Sequence, residues 1–130
     1  MHAYGADTTP DERNNTTIKL ITPGRSWIDL PISPSQWSGA EKSAKLWTLH
    51  VRAQKAAVDY RPYQGSAKLR VTIGADEACG PIVVSESDEY LYSADLRSVL
   101  LPTGRAILRI ALDPKSESQC WIQLVAVSVR

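Results

Sequence analysis

The chain has 130 residues, 43% of them hydrophobic, and its 15 basic and 14 acidic residues leave a formal net charge of +1. This length is typical of one domain with its own core. A near-balanced charge excludes the basic excess of general nucleic-acid and membrane-surface binders, so we expect neither a specific nucleic acid nor a membrane as partner. No stretch has the form of a signal peptide or the length of a membrane span, which predicts either synthesis in the cytoplasm or a fragment of a larger protein.

The first fifteen residues are polar and include Gly5, Pro10 and a charged cluster at 11–13. A segment with so little apolar surface has little to bury, so we predict a flexible, extended N-terminal arm over residues 1–15. Such an arm is either a leftover or a segment that becomes ordered on a partner. Residues 16–130 are predicted to form a single domain.

From residue 16 onward, short apolar stretches recur about every ten residues, separated by turn signals such as Pro23-Gly24. Several stretches alternate apolar and polar residues, which is the period of a half-buried strand. The clearest predicted strands cover 16–22, 26–30, 45–53, 67–73, 82–85, 105–112 and 119–130. This pattern predicts an all-β fold, an antiparallel two-sheet sandwich of jelly-roll-like type.

Two segments in this series are less regular. Residues 93–100 predict a short helical turn with Ser93 as its N-cap. Residues 119–130 are apolar on both faces in part, which indicates a central or covered strand. From the alternation of apolar and polar residues along their strands, we expect Trp47, and also Trp121, in the core.

No catalytic constellation is found. His2 lies in the predicted arm and His50 faces outward on a strand, and neither stands at a recognisable spacing from a nucleophile or a carboxylate. The two cysteines, Cys79 and Cys120, match no zinc spacing and are expected to be buried thiols, with one disulfide as the alternative. We therefore predict a protein that is not an enzyme and that has no metal site and no cofactor.

Six cationic or imidazole side chains fall on the predicted solvent faces of three strands: Arg105, and the five that we take as site candidates, His50, Arg52, Lys68, Arg70 and Arg109. If these strands are neighbours, the side chains form one basic stripe. Like charges on neighbouring strands repel, so such a stripe would require acidic groups of a partner or a polyanion beside it. The alternative, which the net charge favours, is that acidic groups of intervening strands lie between them.

Five aromatic side chains lie in or beside predicted loops: Trp37, Tyr60, Tyr63, Tyr90 and Tyr92. Exposed Trp and Tyr are common in protein interfaces and in sugar-stacking platforms, since each has a rigid apolar face and a polar group. The alternative is that these rings fold back over the ends of the sandwich. Together with the five side chains above, they are the candidate interface or ligand residues.

The second half of the chain resembles the jelly-roll carbohydrate-binding modules of the galactose-binding type. The resemblance rests on a rhythm of strands and turns in which Gly104, the strand Ile107–Leu112 and Trp121 take the expected places. It implies sugar binding, with Trp37, Tyr60 or Tyr63 as the stacking platform, and an extracellular location.

The whole chain is also similar to the small β-sandwich decoration, or cement, proteins of tailed-phage capsids, in its size, polar arm and near-neutral charge. That resemblance implies a structural role in the virion, with binding between major capsid subunits and a homodimeric or homotrimeric state. Because the chain starts at Met1 without a signal peptide, we expect a capsid cement protein first and a carbohydrate-binding module as the alternative.

Overall fold

Eleven β-strands account for the regular structure in the part of the chain that the computed structural model describes. The described residues are 2–4, 6–10, 16–20, 22–32, 47–56, 65–86, 88–97 and 106–129. The strands are β1 (His2–Tyr4), β2 (Ala6–Pro10), β3 (Thr16–Leu20), β4 (Trp27–Ile32), β5 (Trp47–Ala56), β6 (Ala67–Ile73), β7 (Asp76–Glu77), β8 (Ile82–Val84), β9 (Tyr90–Asp95), β10 (Ala106–Leu112) and β11 (Gln119–Val129). Within these ranges, no helix long and apolar enough to cross a membrane is present.

The strands pair antiparallel into two sheets, which we call sheet I and sheet II. Sheet I has the order β1-β4-β10-β6-β7, with β8 also paired to β6, and sheet II has the order β2-β3-β11-β5-β9. Their inner faces share one hydrophobic core. The predicted antiparallel two-sheet sandwich is therefore confirmed.

Alternation along each strand places one side in this core. Leu49 and Val51 of β5 and Leu69 and Val71 of β6 are completely buried, as their period-two spacing predicts. The rest of the core includes Ile18, Leu20, Ile28, Ile32, Leu108, Ile110, Leu112, Cys120 and Ile122. Removing these apolar side chains from water is the main stabilising term, at about 25 cal/mol for each Å² buried. The residues between them face outward, and they form the two outer surfaces of the sandwich.

The N-terminal residues differ from the predicted arm. β1 pairs with β4 in sheet I, where His2 lies opposite Asp29, and β2 pairs with β3 in sheet II, where Ala6 lies opposite Leu20. Pairing at a sheet edge satisfies backbone N–H and C=O groups and does not require apolar side chains. A prediction based on apolar content therefore missed these strands, and the sandwich begins before residue 16.

Residues 93–95 are also different from the prediction, because they continue β9 instead of starting a helical turn. β9 pairs with β5 along its length, with Tyr92 opposite Val51 and Ser93 opposite His50. The hydrogen bonds of this ladder outweigh the local capping preference of Ser93.

Strand β11 contains a β-bulge. Its pairing with β5 shifts by one residue between Ile122 and Leu124. Cys120 and Ile122 face the core before the bulge, whereas Val125 and Val127 face it afterwards. The bulge therefore reverses the phase of the strand. Trp121 lies before it, in the outward phase and half-buried, so its predicted core position is wrong, while that of Trp47 (4% exposed) is confirmed.

Candidate functional site

Five of the six predicted basic-stripe residues divide between the two outer surfaces, and Arg105 lies outside the described residues. His50 and Arg52 lie on β5 of sheet II, whereas Lys68 and Arg70 lie on β6 and Arg109 on β10, both in sheet I. Because the sheets pack through their inner faces, these two groups point in opposite directions. The structure therefore does not assemble them into one stripe.

On sheet I the arginines have acidic neighbours, but these lie on the flanking strands β4 and β7 and not on strands between β6 and β10, which are adjacent. Arg70 forms an ion pair with Glu77, with 3.1 Å from Nε to Oε1, and Arg109 forms one with Asp29, with 2.8 Å from Nε to Oδ1. The Arg109 guanidinium also lies over the Trp27 ring, 4.6 Å from its centre. These charges neutralise each other within the protein, which leaves little net positive charge for an anionic partner.

Two of the five candidate aromatic residues can be placed. Tyr90 and Tyr92 lie on β9, with ring centres 5.2 Å apart and the rings inclined by 61°. Tyr92 is half-buried against the core, whereas Tyr90 is 58% exposed. The other three, Trp37, Tyr60 and Tyr63, lie outside the described residues.

The outer surface of sheet II carries a set of polar side chains that form hydrogen bonds with each other across neighbouring strands. We call it the polar face and define it by Thr48, His50, Arg52, Ser93, Asp95 and Ser128. Its residues come from three adjacent strands, β9, β5 and β11. They alternate with fully buried residues of β5, so their outward direction is fixed by the same period that builds the core.

His50 lies at the centre of the polar face, between two serine hydroxyls. Its Nδ1 is 2.8 Å from Ser93 Oγ, and its Nε2 is 2.8 Å from Ser128 Oγ. In neutral imidazole one ring nitrogen donates and the other accepts, so one serine accepts from the ring and the other donates to it. The accepting serine retains its own O–H to donate outward, and the donating serine retains lone pairs. The row thus offers a ligand both a donor and an acceptor.

Two further pairs lie on either side of this row. Thr48 Oγ1 donates a hydrogen bond of 3.0 Å to Asp95 Oδ1 on β9. Arg52 Nη1 donates one of 3.3 Å to Glu89 Oε1, and both of these side chains are about half exposed. The pairs hold their side chains in place while leaving carboxylate oxygens and guanidinium N–H groups accessible from solvent.

Apolar groups border the polar face at two places. Leu91, which lies opposite Arg52 on β9, is 44% exposed. Trp121 is half-buried on the same side of the sheet, where it lies opposite Gln54. Gln54 is four positions from His50 along β5, a distance of about 13 Å.

Ser93 and Ser128 are components of this surface that the sequence did not single out. A strand over 90–95 would place Leu91, Ser93 and Asp95 on one side. Because Leu91 is apolar, that side does not appear as a polar one in the sequence. Ser128 takes its position from the bulge in β11, which no sequence pattern indicated. Their positions depend on strand pairing, so only the His50 and Arg52 part of the surface was predictable.

Both cysteines are free thiols and buried. Burial raises the pKa of Cys79, an effect that Arg97 partly opposes. Burial raises the pKa of Cys120 to about 12. A thiolate is therefore disfavoured at both positions, and neither side chain is suited to act as a nucleophile at neutral pH.

No protein-family model matches the chain, and no curated protein matches it by sequence. Its fold is similar to solved structures of carbohydrate-binding modules. A CBM36 module in complex with calcium and xylotriose has a TM-score of 0.65 at 13% identity, covering 98% of this chain and 93% of that one. The CBM36-1 domain of a multidomain xylanase from the hindgut metagenome of Trinervitermes trinervoides has a TM-score of 0.66 at 11% identity, covering 98% and 90%. A CBM4 structure has a TM-score of 0.58 at 12% identity, covering 98% and 79%.

At these identities the likeness establishes the fold, a jelly-roll sandwich. The expectation of a capsid cement protein was wrong, because the similar solved structures named above are carbohydrate-binding modules and agree with the alternative expectation. Size, a polar N-terminus and a near-neutral charge are shared by many small β-sandwiches, so these features did not discriminate between the two families. The expected location in a virion, with extracellular as its alternative, stays a prediction.

Proposed function

We propose that the chain is a non-catalytic carbohydrate-binding module that binds its ligand on the polar face. The observation that carries the proposal is the row Ser93–His50–Ser128, with 2.8 Å hydrogen bonds on both sides of the ring. Sugar hydroxyls both donate and accept hydrogen bonds, so they match a row that presents both functions. The likeness to carbohydrate-binding modules supports the same conclusion.

The groups around the row suit a glycan as well. Arg52 and Asp95 add a charged donor and a charged acceptor, and bonds to charged groups are the stronger ones. Trp121 supplies an aromatic surface at the far end of the face, on which the apolar side of a sugar ring can stack. Because the face lies on the outer surface of three adjacent strands, it fits a chain of sugar units better than a small buried ligand.

The proposal is tested by a glycan array followed by calorimetric titration with xylotriose and with the best glycan on the array. His50→Ala removes the ring that holds the Ser93 and Ser128 hydroxyls in place by hydrogen bonds, so the row no longer presents an ordered donor and acceptor to the glycan. We expect the Kd for the glycan to rise about tenfold or more. His50→Gln retains a donor and an acceptor and should recover part of the loss. Arg70→Ala, on the outer surface of sheet I, is the matched control and should bind as the wild type does.

Thermal melts of all variants separate lost binding from lost folding. If no glycan binds the wild type, or if Arg70→Ala weakens binding as much as His50→Ala, the polar face is not a carbohydrate site. A panel broader than xylans is needed, because the fold does not choose the sugar.

Calcium is present with xylotriose in one of the similar structures. In the described part of this chain, no three His, Cys, Asp or Glu side chains lie close enough together to hold a metal ion. Calcium requires six to eight oxygen ligands. The polar face does not fit that requirement, so we assign no step of sugar binding to calcium. Titrations with added calcium and with EDTA should give the same Kd for this face.

A further inference from the structure

The outer edge of β9 has no partner among the described strands between Leu91 and Asp95, and directly after the strand the same chain covers it, where Arg97 N–H donates to Ala78. β9 is the last strand of sheet II on its side, and no other strand within the described ranges pairs with that edge. Of the other end strands, β1 and β8 have three residues each, β7 has two and β2 ends with Pro10. Short strands, Pro and Lys are among the usual protections of a sheet edge, and β9 has six residues and neither Pro nor Lys.

The direction of the backbone groups of β9 follows from one hydrogen bond. Leu96 N–H donates to the Trp47 carbonyl of β5 at 2.9 Å, so residues of even number point their backbone groups at β5. In an antiparallel ladder the direction alternates, which leaves the N–H and C=O of Leu91, Ser93 and Asp95 pointing away from the sheet. Arg97 also has an odd number, and its N–H points away from β5, since it donates to the Ala78 carbonyl at 2.7 Å.

Exposed apolar side chains gather at the same edge. Four large hydrophobic side chains are exposed among the described residues, and three of them, Val83, Tyr90 and Leu91, border this edge. Val83 lines a cleft of about 440 Å³ between β9 and residues 79–83. Concentrated apolar exposure of this kind is typical of an interaction surface.

The charges at the ends of β9 are self-complementary. Glu89 precedes the strand and is half exposed, and Arg97 follows it, exposed and without an ion pair to any described residue. We propose that two copies of the chain form a dimer by antiparallel pairing of their β9 edges about a two-fold axis at Ser93.

In this register the side chain of Glu89 of each copy lies beside that of Arg97 of the second copy, just beyond the paired residues Leu91–Asp95. The two meet only through their side chains, because the Arg97 N–H is bonded to Ala78 of its own chain. Glu89 would share its carboxylate between that arginine and Arg52 of its own chain. Sliding by two residues would set Glu89 against Asp95 of the second copy, and like charges directly opposite are destabilising.

The pairing covers the exposed side chains and keeps the faces aligned. Tyr90 lies opposite Leu96 of the second copy on the inner side, and Leu91 lies opposite Asp95 of the second copy on the outer side. Directly opposite residues of an antiparallel pair share a face. Two five-stranded sheets would therefore join into one continuous sheet. The two polar faces would lie side by side on it. Bivalent glycan binding by such a dimer rests on the proposed function, whereas dimer formation itself does not.

The dimer is tested without sugar, by sedimentation equilibrium or light scattering over a range of protein concentrations. We expect Arg97→Glu alone and Glu89→Arg alone to be monomeric, since each sets like charges against each other twice. Mixed one to one, the two variants should form a heterodimer, because every facing pair is again of opposite sign. A monomeric wild type, or dimers that neither variant weakens, would overturn the proposal. A mixture that stays monomeric would overturn the register.

A second pair of variants tests the edge itself. Leu91→Pro removes an N–H that points outward and leaves the ladder to β5 intact, so the protein should melt near the wild-type temperature and be monomeric. Tyr92→Pro removes an N–H within the ladder and should lower the melting temperature. A dimer that persists in Leu91→Pro would show that β9 is not the contact. Glycan binding is measured separately. Absence of a dimer therefore counts only against the dimer, and absence of glycan binding counts only against the proposed function.

Discussion

Arg109 donates two hydrogen bonds to the carboxylate of Asp29, at 2.8 Å from Nε and 3.1 Å from Nη2. The Asp29 side chain is 12% exposed, whereas that of Arg109 is 45% exposed. The carboxylate is thus mostly removed from water and depends on the guanidinium for its partners, while the guanidinium also has the Trp27 ring.

Arg109→Ala should lower the free energy of unfolding by about 2 kcal/mol, because it leaves a largely buried carboxylate without its two donors. Urea unfolding followed by tryptophan fluorescence measures the change. Arg70→Ala is the control, since Arg70 and Glu77 are each about half exposed. Its effect should stay below about 0.5 kcal/mol, as is usual for surface ion pairs. Equal losses in the two variants would contradict this interpretation.

Gly74 forms the turn between β6 and β7 with a φ of +62°. A Cβ there would contact nothing within 4 Å, so the cost of Gly74→Ala comes from the backbone alone. We expect a loss of about 1 kcal/mol in unfolding free energy, because L-residues disfavour this left-handed region. Gly80→Ala is a matched control, since the space at Gly80 is equally open and its φ lies outside that region. A Gly74→Ala variant as stable as Gly80→Ala would be evidence against the turn.

Burial raises the pKa of Cys120 to about 12, which makes stability depend on pH. The unfolded thiol ionises near its ordinary pKa of about 8.5, so the stabilisation is complete below that pH and is lost as the pH rises toward 12. The free energy of unfolding should fall by up to about 1.4 kcal/mol per pH unit from this group. Lysines and tyrosines titrate in the same window, so the measurement is the difference between wild type and Cys120→Ala. Parallel pH profiles would show that the Cys120 thiol is accessible to solvent.

Truncation of Trp47 should lower stability, whereas truncation of Trp121 should lower glycan affinity. Trp47 is 4% exposed in the core, so Trp47→Ala should cost about 3–5 kcal/mol and unfold much of the protein. Trp121→Ala should leave the fold largely intact and weaken glycan binding, if the ring stacks on sugar as proposed. Denaturation and calorimetric titration of both variants measure the two effects. Unchanged glycan affinity in Trp121→Ala would restrict the site to the residues around His50.

The sandwich could be predicted from the sequence because its strongest signals are local. The alternation in Leu49–Val51 and Leu69–Val71 depends only on the strand period, and both pairs are buried as expected. The outward direction of His50 and Arg52 follows from the same period. Strands β1 and β2 could not be found in this way, because they join the sheets by backbone pairing and not by apolar content.

The arrangement of the polar face depends on which strands are neighbours, and local sequence does not contain that information. β5 lies between β9 and β11, so His50 meets Ser93, 43 residues away, and Ser128, 78 residues away. The predicted basic stripe failed for the same reason, since β6 and β10 belong to the other sheet. The sequence predicted correctly that these basic side chains face outward, but β5 is not a neighbour of β6 and β10.

The bulge between Ile122 and Leu124 has a consequence for how this surface can change. If all residues of β11 paired with β5 in a regular ladder without the bulge, every residue after Ile122 would change face, which would turn Ser128 inward and Val127 outward. The hydroxyl beside His50 therefore owes its position to one extra residue in β11, as well as to its own residue type. A single-residue deletion at Gln123 would let Leu124 follow Ile122 opposite Arg52 and would leave Ser128 opposite Thr48. A deletion after the bulge, at Ala126, would instead turn Ser128 away from His50 without changing any of the six residues of the polar face.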